Sequence, residues 1–160
     1  MSQLEGKAAE LIEKAKKNKV KIAVAESCTG GMLGAALTSV PGSSEVFLVG
    51  FITYSNTSKI RFLKVPEEVL KSKGAVSAEV AKVMAVNACL QSEGSLGASV
   101  TGIAGPGGAT AEKPIGLVYI GLYNRKNGIN IAHEFNLKGN RDEIRKQAVD
   151  KSLELMLEQV

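Results

Sequence analysis

A chain of 160 residues with 44% hydrophobic residues can bury one core, and its charge of +4 comes from basic residues scattered along the sequence. No apolar run approaches the roughly 20 residues of a membrane span, and the first 20 residues lack the apolar core of a signal peptide. The two cysteines form neither a disulfide framework nor a metal-ligand spacing. We therefore expect one cytoplasmic domain over residues 1–160, without metal, cofactor or membrane partner.

The first half of the chain alternates helical and strand patterns. Apolar residues spaced through positions 4–15 predict a first helix. The predicted elements after it are a strand over 20–25, a small-residue helix over 31–40, a turn at 41–44, a buried strand over 46–54 and a short helix over 56–63. Alternation of this kind predicts a layered α/β domain.

The second half adds a longer helix and a hairpin. Pro66 in the first turn indicates a helix start, and Ser77 is the predicted N-cap of a helix that reaches about residue 92. The remaining predicted elements are a strand over 96–100, a hairpin of strands 116–123 and 129–137, and a last helix over 140–158.

Two polar, glycine-rich turns each follow a predicted strand. One is Ala-Glu-Ser-Cys-Thr-Gly-Gly at 25–31, and the other is Thr-Gly-Ile-Ala-Gly-Pro-Gly-Gly at 101–108. Glycines let the backbone approach a ligand closely, so the two turns predict one cleft for a small anionic ligand. Neither turn has the spacing of a P-loop or of a dinucleotide-binding fingerprint, so ATP and NAD are not expected.

The first turn offers two candidate nucleophiles. Ser27 is either a helix cap or a nucleophile exposed at a strand-to-helix turn. Cys28 is the rival, because a thiol at a helix N-terminus has a lowered pKa. The single histidine, His133, falls mid-strand in the predicted hairpin and is interpreted as a surface residue, so no histidine-based triad is expected.

A hydroxyl nucleophile without histidine needs another base. Lys59 is either that base, with its pKa lowered in a closed cleft, or an exposed helix lysine. Tyr54 could place its phenol in the same cleft, and Glu26 could orient the turn that follows it. Arg141 and Arg145 share a face of the last helix, where either could clamp a phosphate or simply be solvated.

Basic charge alone does not predict nucleic-acid binding here. Aromatic residues make up 4% of the chain, and it has no arginine-rich tract or zinc-finger spacing. A positive surface would still steer a small acidic ligand toward a cleft.

Taken together, separated motifs in this chain resemble the CinA C-terminal domain family. They are Glu-Ser-Cys-Thr-Gly-Gly at 26–31, Tyr-Ser-Asn at 54–56 with Lys59, Gly-Ala-Val-Ser at 74–77, the turn at 101–108 with Lys-Pro-Ile-Gly at 113–116, and Asn-Arg at 140–141 with Ile-Arg at 144–145. The resemblance runs from about Leu4 to the last helix. It implies a three-layer α/β/α domain with a mixed sheet, in the family's single-domain form.

The resemblance also implies an activity. The family's enzymes hydrolyse the carboxamide of nicotinamide mononucleotide (NMN) to nicotinic acid mononucleotide and ammonia, without metal or cofactor. Ser27 matches the family's nucleophile, Lys59 the lysine that activates it, and Tyr54 a catalytic tyrosine of the same site that assists proton movement. The expected substrate-binding residues are Thr29, Gly30, Gly31, Gly42, Ser43, Ser44, Thr101, Gly102 and Arg141. Main-chain N–H groups near residues 29–31, or from the loop that begins at Thr101, are expected to hold an oxyanion.

Two other functions stay open on the sequence. One is a nucleotide-binding module without turnover, and the other is a nucleic-acid accessory protein, which the family's link to competence and DNA damage suggests. A homo-oligomer is also expected, with the helix over 31–40 or the hairpin as its interface.

Overall fold

The computed structural model describes residues 2–160, which form six helices and five strands. The helices are α1 Gln3–Asn18, α2 Met32–Thr38, α3 Asn56–Leu63, α4 Glu67–Lys73, α5 Ala78–Leu90 and α6 Arg141–Leu157. The strands are β1 Ile22–Glu26, β2 Phe47–Ile52, β3 Leu96–Gly102, β4 Leu117–Asn124 and β5 Ile129–Asn136.

The strands form one mixed sheet in the order β2-β1-β3-β4-β5. β1 lies in the middle of a parallel trio with β2 and β3, whereas β3, β4 and β5 are antiparallel neighbours. Parallel strands that are adjacent end at the same edge of a sheet. The segments that follow β1, β2 and β3 therefore lie together at one edge.

Helices cover both faces of this sheet, which confirms the three-layer α/β/α prediction. On one face α1, α2 and α6 pack around a core that includes Leu11, Leu33 and Leu153, all fully buried. On the other face α3, α4 and α5 enclose a smaller core with Leu63 and Met84. Burial of these side chains on both faces makes β1 and β3 the buried centre of the domain.

Side-chain caps fix where the helices of the site begin. The Ser55 side chain accepts from the Ser58 N–H at the start of α3, and Asn140 forms a capping box with Glu143 at the start of α6. Ser77 caps α5 as predicted. These caps set the starts of the helices that carry Lys59 and the two arginines.

One strand differs from its prediction. Residues 46–54 were expected to be a buried strand, but β2 is the edge strand and its residues alternate between half-buried and exposed. Leu48 and Ile52 are 42% and 57% exposed. The reason is that β2 has a sheet neighbour on one side alone, so its apolar composition does not lead to burial. Across residues 2–160 every helix is too short or too polar to cross a membrane.

Candidate active site

The two glycine-rich turns meet at the edge where the parallel strands end. There they form a cavity of about 290 Å³ together with the segment that follows β2. Its lining comprises Ser27, Cys28, Tyr54, Asn56, Lys59, Ala75, Val76, residues 101–105, Gly107, Gly108 and Arg141. The two turns therefore share one cavity, and Thr101 and Gly102 lie in its wall.

Lys59 and Ser27 are in direct contact in this cavity. Lys59 lies in α3 and is 1% exposed, and its Nζ donates to Ser27 Oγ at 2.9 Å. The interpretation of Lys59 as an exposed lysine is therefore wrong. The interpretation of Ser27 as a helix cap is also wrong, because the N-cap of α2 is Gly31.

Burial makes Lys59 a weaker base than an exposed lysine, so that its amine can both accept and return a proton near neutral pH. Its Nζ also donates to the carbonyls of Thr53 at 2.8 Å and Tyr54 at 3.2 Å, and no carboxylate in residues 2–160 forms an ion pair with it. Desolvation lowers the pKa of Lys59 to about 8. A neutral amine keeps two N–H groups for the two carbonyls and points its lone pair at Ser27, since only the hydroxyl can donate.

Cys28 is not an activated thiol. Burial raises its pKa to about 11, because desolvation outweighs the nearby positive charge of Arg145. The sequence predicted a lowered pKa for Cys28 at a helix N-terminus. That prediction is wrong, because α2 begins at Met32, four positions later, and the Cys28 side chain packs into the hydrophobic core. His133 lies in β5 outside the cavity, with its ring stacked on Phe135 at a centroid distance of 6.5 Å.

Glu26 organises the turn that carries Ser27. Its buried carboxylate accepts from the Thr29 hydroxyl at 2.7 Å and from the N–H groups of Gly31, Leu33 and Gly34 at 3.2, 2.9 and 3.0 Å. These bonds satisfy the free donors at the start of α2 and place a negative charge there. The sequence-based suggestion that Glu26 orients the turn is consistent with this arrangement.

The same bonds change the expectation for the oxyanion donors. Gly31 N–H is bound by Glu26, and Gly30 N–H donates to the Ser27 carbonyl at 3.0 Å. The Thr29 side chain is fully buried and bound to Glu26. Neither glycine therefore offers a free N–H, and none of the three residues lines the cavity.

The two arginines of α6 have different surroundings. Arg141 lines the cavity and donates to the Gly105 carbonyl at 2.7 Å and to the Tyr54 hydroxyl at 3.1 Å. Arg145 instead donates to the carbonyls of Cys28 at 3.0 Å and Thr29 at 3.2 Å. Of the two, Arg141 is the one placed to meet a ligand in the cavity.

The CinA C-terminal domain matches residues 4–160. The chain belongs to the CinA C-terminal domain family. It is 46% identical over 150 residues to a competence-damage inducible protein of Alkaliphilus oremlandii, and 51% identical over 140 residues to one of Clostridium botulinum. The matches cover 94% and 88% of this chain but 35% and 34% of those proteins, so the chain spans about a third of the length of these relatives.

Solved structures of CinA-type proteins share the fold. The competence/damage inducible protein CihA of Agrobacterium tumefaciens matches with a TM-score of 0.96 at 40% identity, over 99% of this chain and 96% of that one. The competence damage-inducible protein A of Klebsiella pneumoniae matches with a TM-score of 0.94 at 26% identity, over 99% and 97%.

One group of expected binding residues lies elsewhere in this CinA domain. Gly42, Ser43 and Ser44 precede β2, so they lie at the amino ends of the parallel strands, opposite the cavity. Ser43–Glu45 forms a single 3-10 turn there, and an added Cβ at Gly42 would meet the Lys16 side chain. The structure does not bring these residues to the site within one chain, because a strand of six residues separates them from it.

Sequence reasoning on the CinA domain missed the groups that hold Lys59. The Thr53 carbonyl is its shortest hydrogen-bond partner, and a carbonyl leaves no signal in side-chain chemistry. Val76 and Ala75 also line the cavity, beside the Ala75 carbonyl that accepts from the Thr101 hydroxyl at 2.9 Å. Residues 2–160 contain no cluster of three or more His, Cys, Asp or Glu side chains with the spacing to hold a metal ion.

Proposed function

We propose that this domain hydrolyses the carboxamide of nicotinamide mononucleotide to nicotinic acid mononucleotide and ammonia. The observation that carries the proposal is the contact of 2.9 Å between Lys59 Nζ and Ser27 Oγ inside a cavity. A buried lysine with a pKa near 8 that touches a serine hydroxyl supports nucleophilic catalysis without histidine.

The first half of the reaction forms an ester on Ser27. Ser27 Oγ attacks the carboxamide carbon while its proton moves to neutral Lys59, and the carbonyl oxygen becomes an oxyanion held by main-chain N–H groups of the turn. The Lys59 ammonium then gives this proton to the leaving nitrogen. The C–N bond breaks, ammonia departs and the acyl group stays on Ser27.

The second half returns the enzyme to its starting state. A water molecule attacks the ester carbon and loses a proton to Lys59, which returns it to Ser27 Oγ as the C–O bond breaks. The product is the carboxylic acid. The Thr53 and Tyr54 carbonyls can accept from Nζ in both protonation states, so proton transfer requires no rearrangement of Lys59.

The charge of the cavity supports an anionic substrate. Its charged lining residues are Lys59 and Arg141, and no carboxylate of residues 2–160 lines it. The Arg141 guanidinium has N–H groups beyond the two that donate to Gly105 and Tyr54, and a planar fork of this kind suits a phosphate. The Tyr54 side chain is 59% exposed at the cavity, where its hydroxyl orients Arg141.

An ammonia-release assay with nicotinamide mononucleotide tests the proposal. We expect wild-type protein to form equal amounts of ammonia and nicotinic acid mononucleotide, and Ser27→Ala protein to form neither. The control is Ser39→Ala, which removes an exposed hydroxyl at the end of α2 and should retain full activity. Thermal stabilisation by the mononucleotide without any ammonia would contradict the proposal in favour of a binding module.

A further inference from the structure

Arg145 is a half-buried arginine that the proposed reaction does not use. It reaches from α6 to the carbonyls of Cys28 and Thr29, the two residues that follow the nucleophile. It does not line the cavity, and no ion pair joins it to a carboxylate in residues 2–160. A guanidinium that donates to two main-chain carbonyls fixes the orientation of the two peptide groups to which these carbonyls belong.

Because a trans peptide is planar, the direction in which Arg145 holds a carbonyl also determines where the N–H of the same peptide points. In a trans peptide the C=O and N–H point in opposite directions, and the one cis bond in residues 2–160 is Gly105–Pro106. Holding the Cys28 carbonyl toward Arg145 therefore turns the Thr29 N–H away from α6. In the same way, the Ser27 carbonyl accepts from Gly30, so the Cys28 N–H points away from that bond.

The other N–H groups of this turn are already occupied. The Ser27 N–H donates to the Val100 carbonyl at 2.9 Å, and Gly30 N–H donates to Ser27. The N–H groups of Gly31, Leu33 and Gly34 donate to Glu26. Within residues 2–160, the turn thus leaves the N–H groups of Cys28 and Thr29 without an oxygen acceptor, and of these two residues Cys28 is the one that lines the cavity.

We propose that Arg145 and Glu26 are positioning residues that hold the turn after Ser27 so that the Cys28 N–H is an oxyanion donor in the cavity. Glu26 fixes the end of the turn through the N–H groups of Gly31, Leu33 and Gly34. Arg145 holds the Thr29 carbonyl, and the N–H of that peptide is the Gly30 N–H, which donates to the Ser27 carbonyl. The Ser27–Cys28 peptide is thereby kept from flipping, and its Cys28 N–H rather than its oxygen faces the substrate. This assignment rests on the proposed amide hydrolysis. It also gives Arg145 a role different from a phosphate clamp.

Cys28 provides a probe of the turn that does not depend on turnover. Cys28 is 7% exposed at the wall of the cavity, in the turn that Arg145 holds, and Cys89 is fully buried on the other face of the sheet. Burial raises the pKa of both thiols to about 11, so alkylation of either one reports on opening of the structure around it. Cys89 is therefore an internal control in the same chain.

The experiment compares Arg145→Met, Arg145→Lys and Lys146→Met with the wild type. Lys146→Met is the matched control, because it removes an exposed cation from the adjacent position of α6. We measure iodoacetamide labelling of each cysteine by peptide mass spectrometry, and kcat and KM for nicotinamide mononucleotide. Arg145→Met should raise Cys28 labelling at least tenfold without changing Cys89, and should lower kcat about 10²-fold with KM within threefold.

The two control variants and the labelling contrast separate the possible failures. Arg145→Lys should recover part of kcat, because an ammonium still reaches a carbonyl, and Lys146→Met should match the wild type. Unchanged Cys28 labelling in Arg145→Met, or equal increases at both cysteines, overturns the positioning role. A wild type that releases no ammonia overturns the proposed function, and the Cys28 labelling contrast then still decides whether Arg145 fixes the turn.

Discussion

The N–H of Thr53 donates to the carbonyl of Glu26 at 2.9 Å, and this bond joins the ends of β2 and β1. Glu26 precedes Ser27 directly, and the Thr53 carbonyl holds the Nζ of Lys59. The separation of nucleophile and base is therefore set by the parallel pairing of two strands. A site built on paired strands is held more rigidly than one built on loops alone.

The first prediction separates the serine from the thiol. Ser27→Ala should lower kcat about 10⁴-fold or more, because it removes the attacking atom from a pair that acts as a unit. Cys28→Ala should retain at least a tenth of the wild-type rate, because the main-chain N–H remains and the thiol is protonated at neutral pH. Both rates are measured as ammonia release, and a dead Cys28→Ala beside a live Ser27→Ala would assign the attack to sulfur.

The second prediction concerns pH. Catalysis needs the neutral amine, and burial lowers the pKa of Lys59 to about 8, so the amine is protonated below that pH and neutral above it. We expect kcat/KM to rise tenfold per pH unit below pH 8 and to level off above it.

Two variants test whether the rise of kcat/KM with pH is caused by the titration of Lys59. Lys59→Arg should be inactive at every pH, since a guanidinium does not lose its proton in this range. Lys59→Met should also be inactive, with a loss of about 10³-fold or more in kcat. If a Lys59 variant with residual activity shows the same rise of kcat/KM below pH 8 as the wild type, the titration belongs to another group.

Much of the fold followed from local patterns in the sequence, and the site followed only in part. The α3 bounds, the Ser77 cap and the β4–β5 hairpin arise from short-range side-chain and turn chemistry, which a sequence displays directly. The Ser27–Lys59 pairing joins residues 32 positions apart, and it was expected because the chain resembles a family.

Other features could not be predicted because they depend on tertiary burial. The Cys28 pKa moved opposite to expectation, since its side chain packs into a core that is built from α1, α2 and α6. The exposure of β2 depends on its position at the sheet edge, which its own apolar residues do not encode.

The third prediction tests Arg141 as the phosphate contact. Arg141→Met should lower kcat/KM for nicotinamide mononucleotide about 30-fold, mainly through KM, because a charge-assisted hydrogen bond contributes about 2 kcal/mol. The same variant should leave kcat/KM for nicotinamide riboside, which lacks the phosphate, within threefold of wild type. The control is Arg125→Met, which removes an exposed arginine between β4 and β5. Equal losses on both substrates would contradict a phosphate role.

The fourth prediction concerns the close packing of α5 on the sheet. A Cβ at Gly121 in β4 would lie 2.3 Å from the Ala81 carbonyl oxygen, and one at Gly97 in β3 would lie 2.2 Å from the Ala85 carbonyl oxygen. Both clashes are with the main chain, so no rotamer change relieves them. Gly121→Ala should lower the free energy of unfolding by about 3 kcal/mol, equivalent to a Tm lower by about 10 °C. Gly107→Ala is the control, since its added Cβ would meet nothing within 4 Å. A Tm for Gly121→Ala within 2 °C of the control would show that α5 can move away from the sheet at little cost.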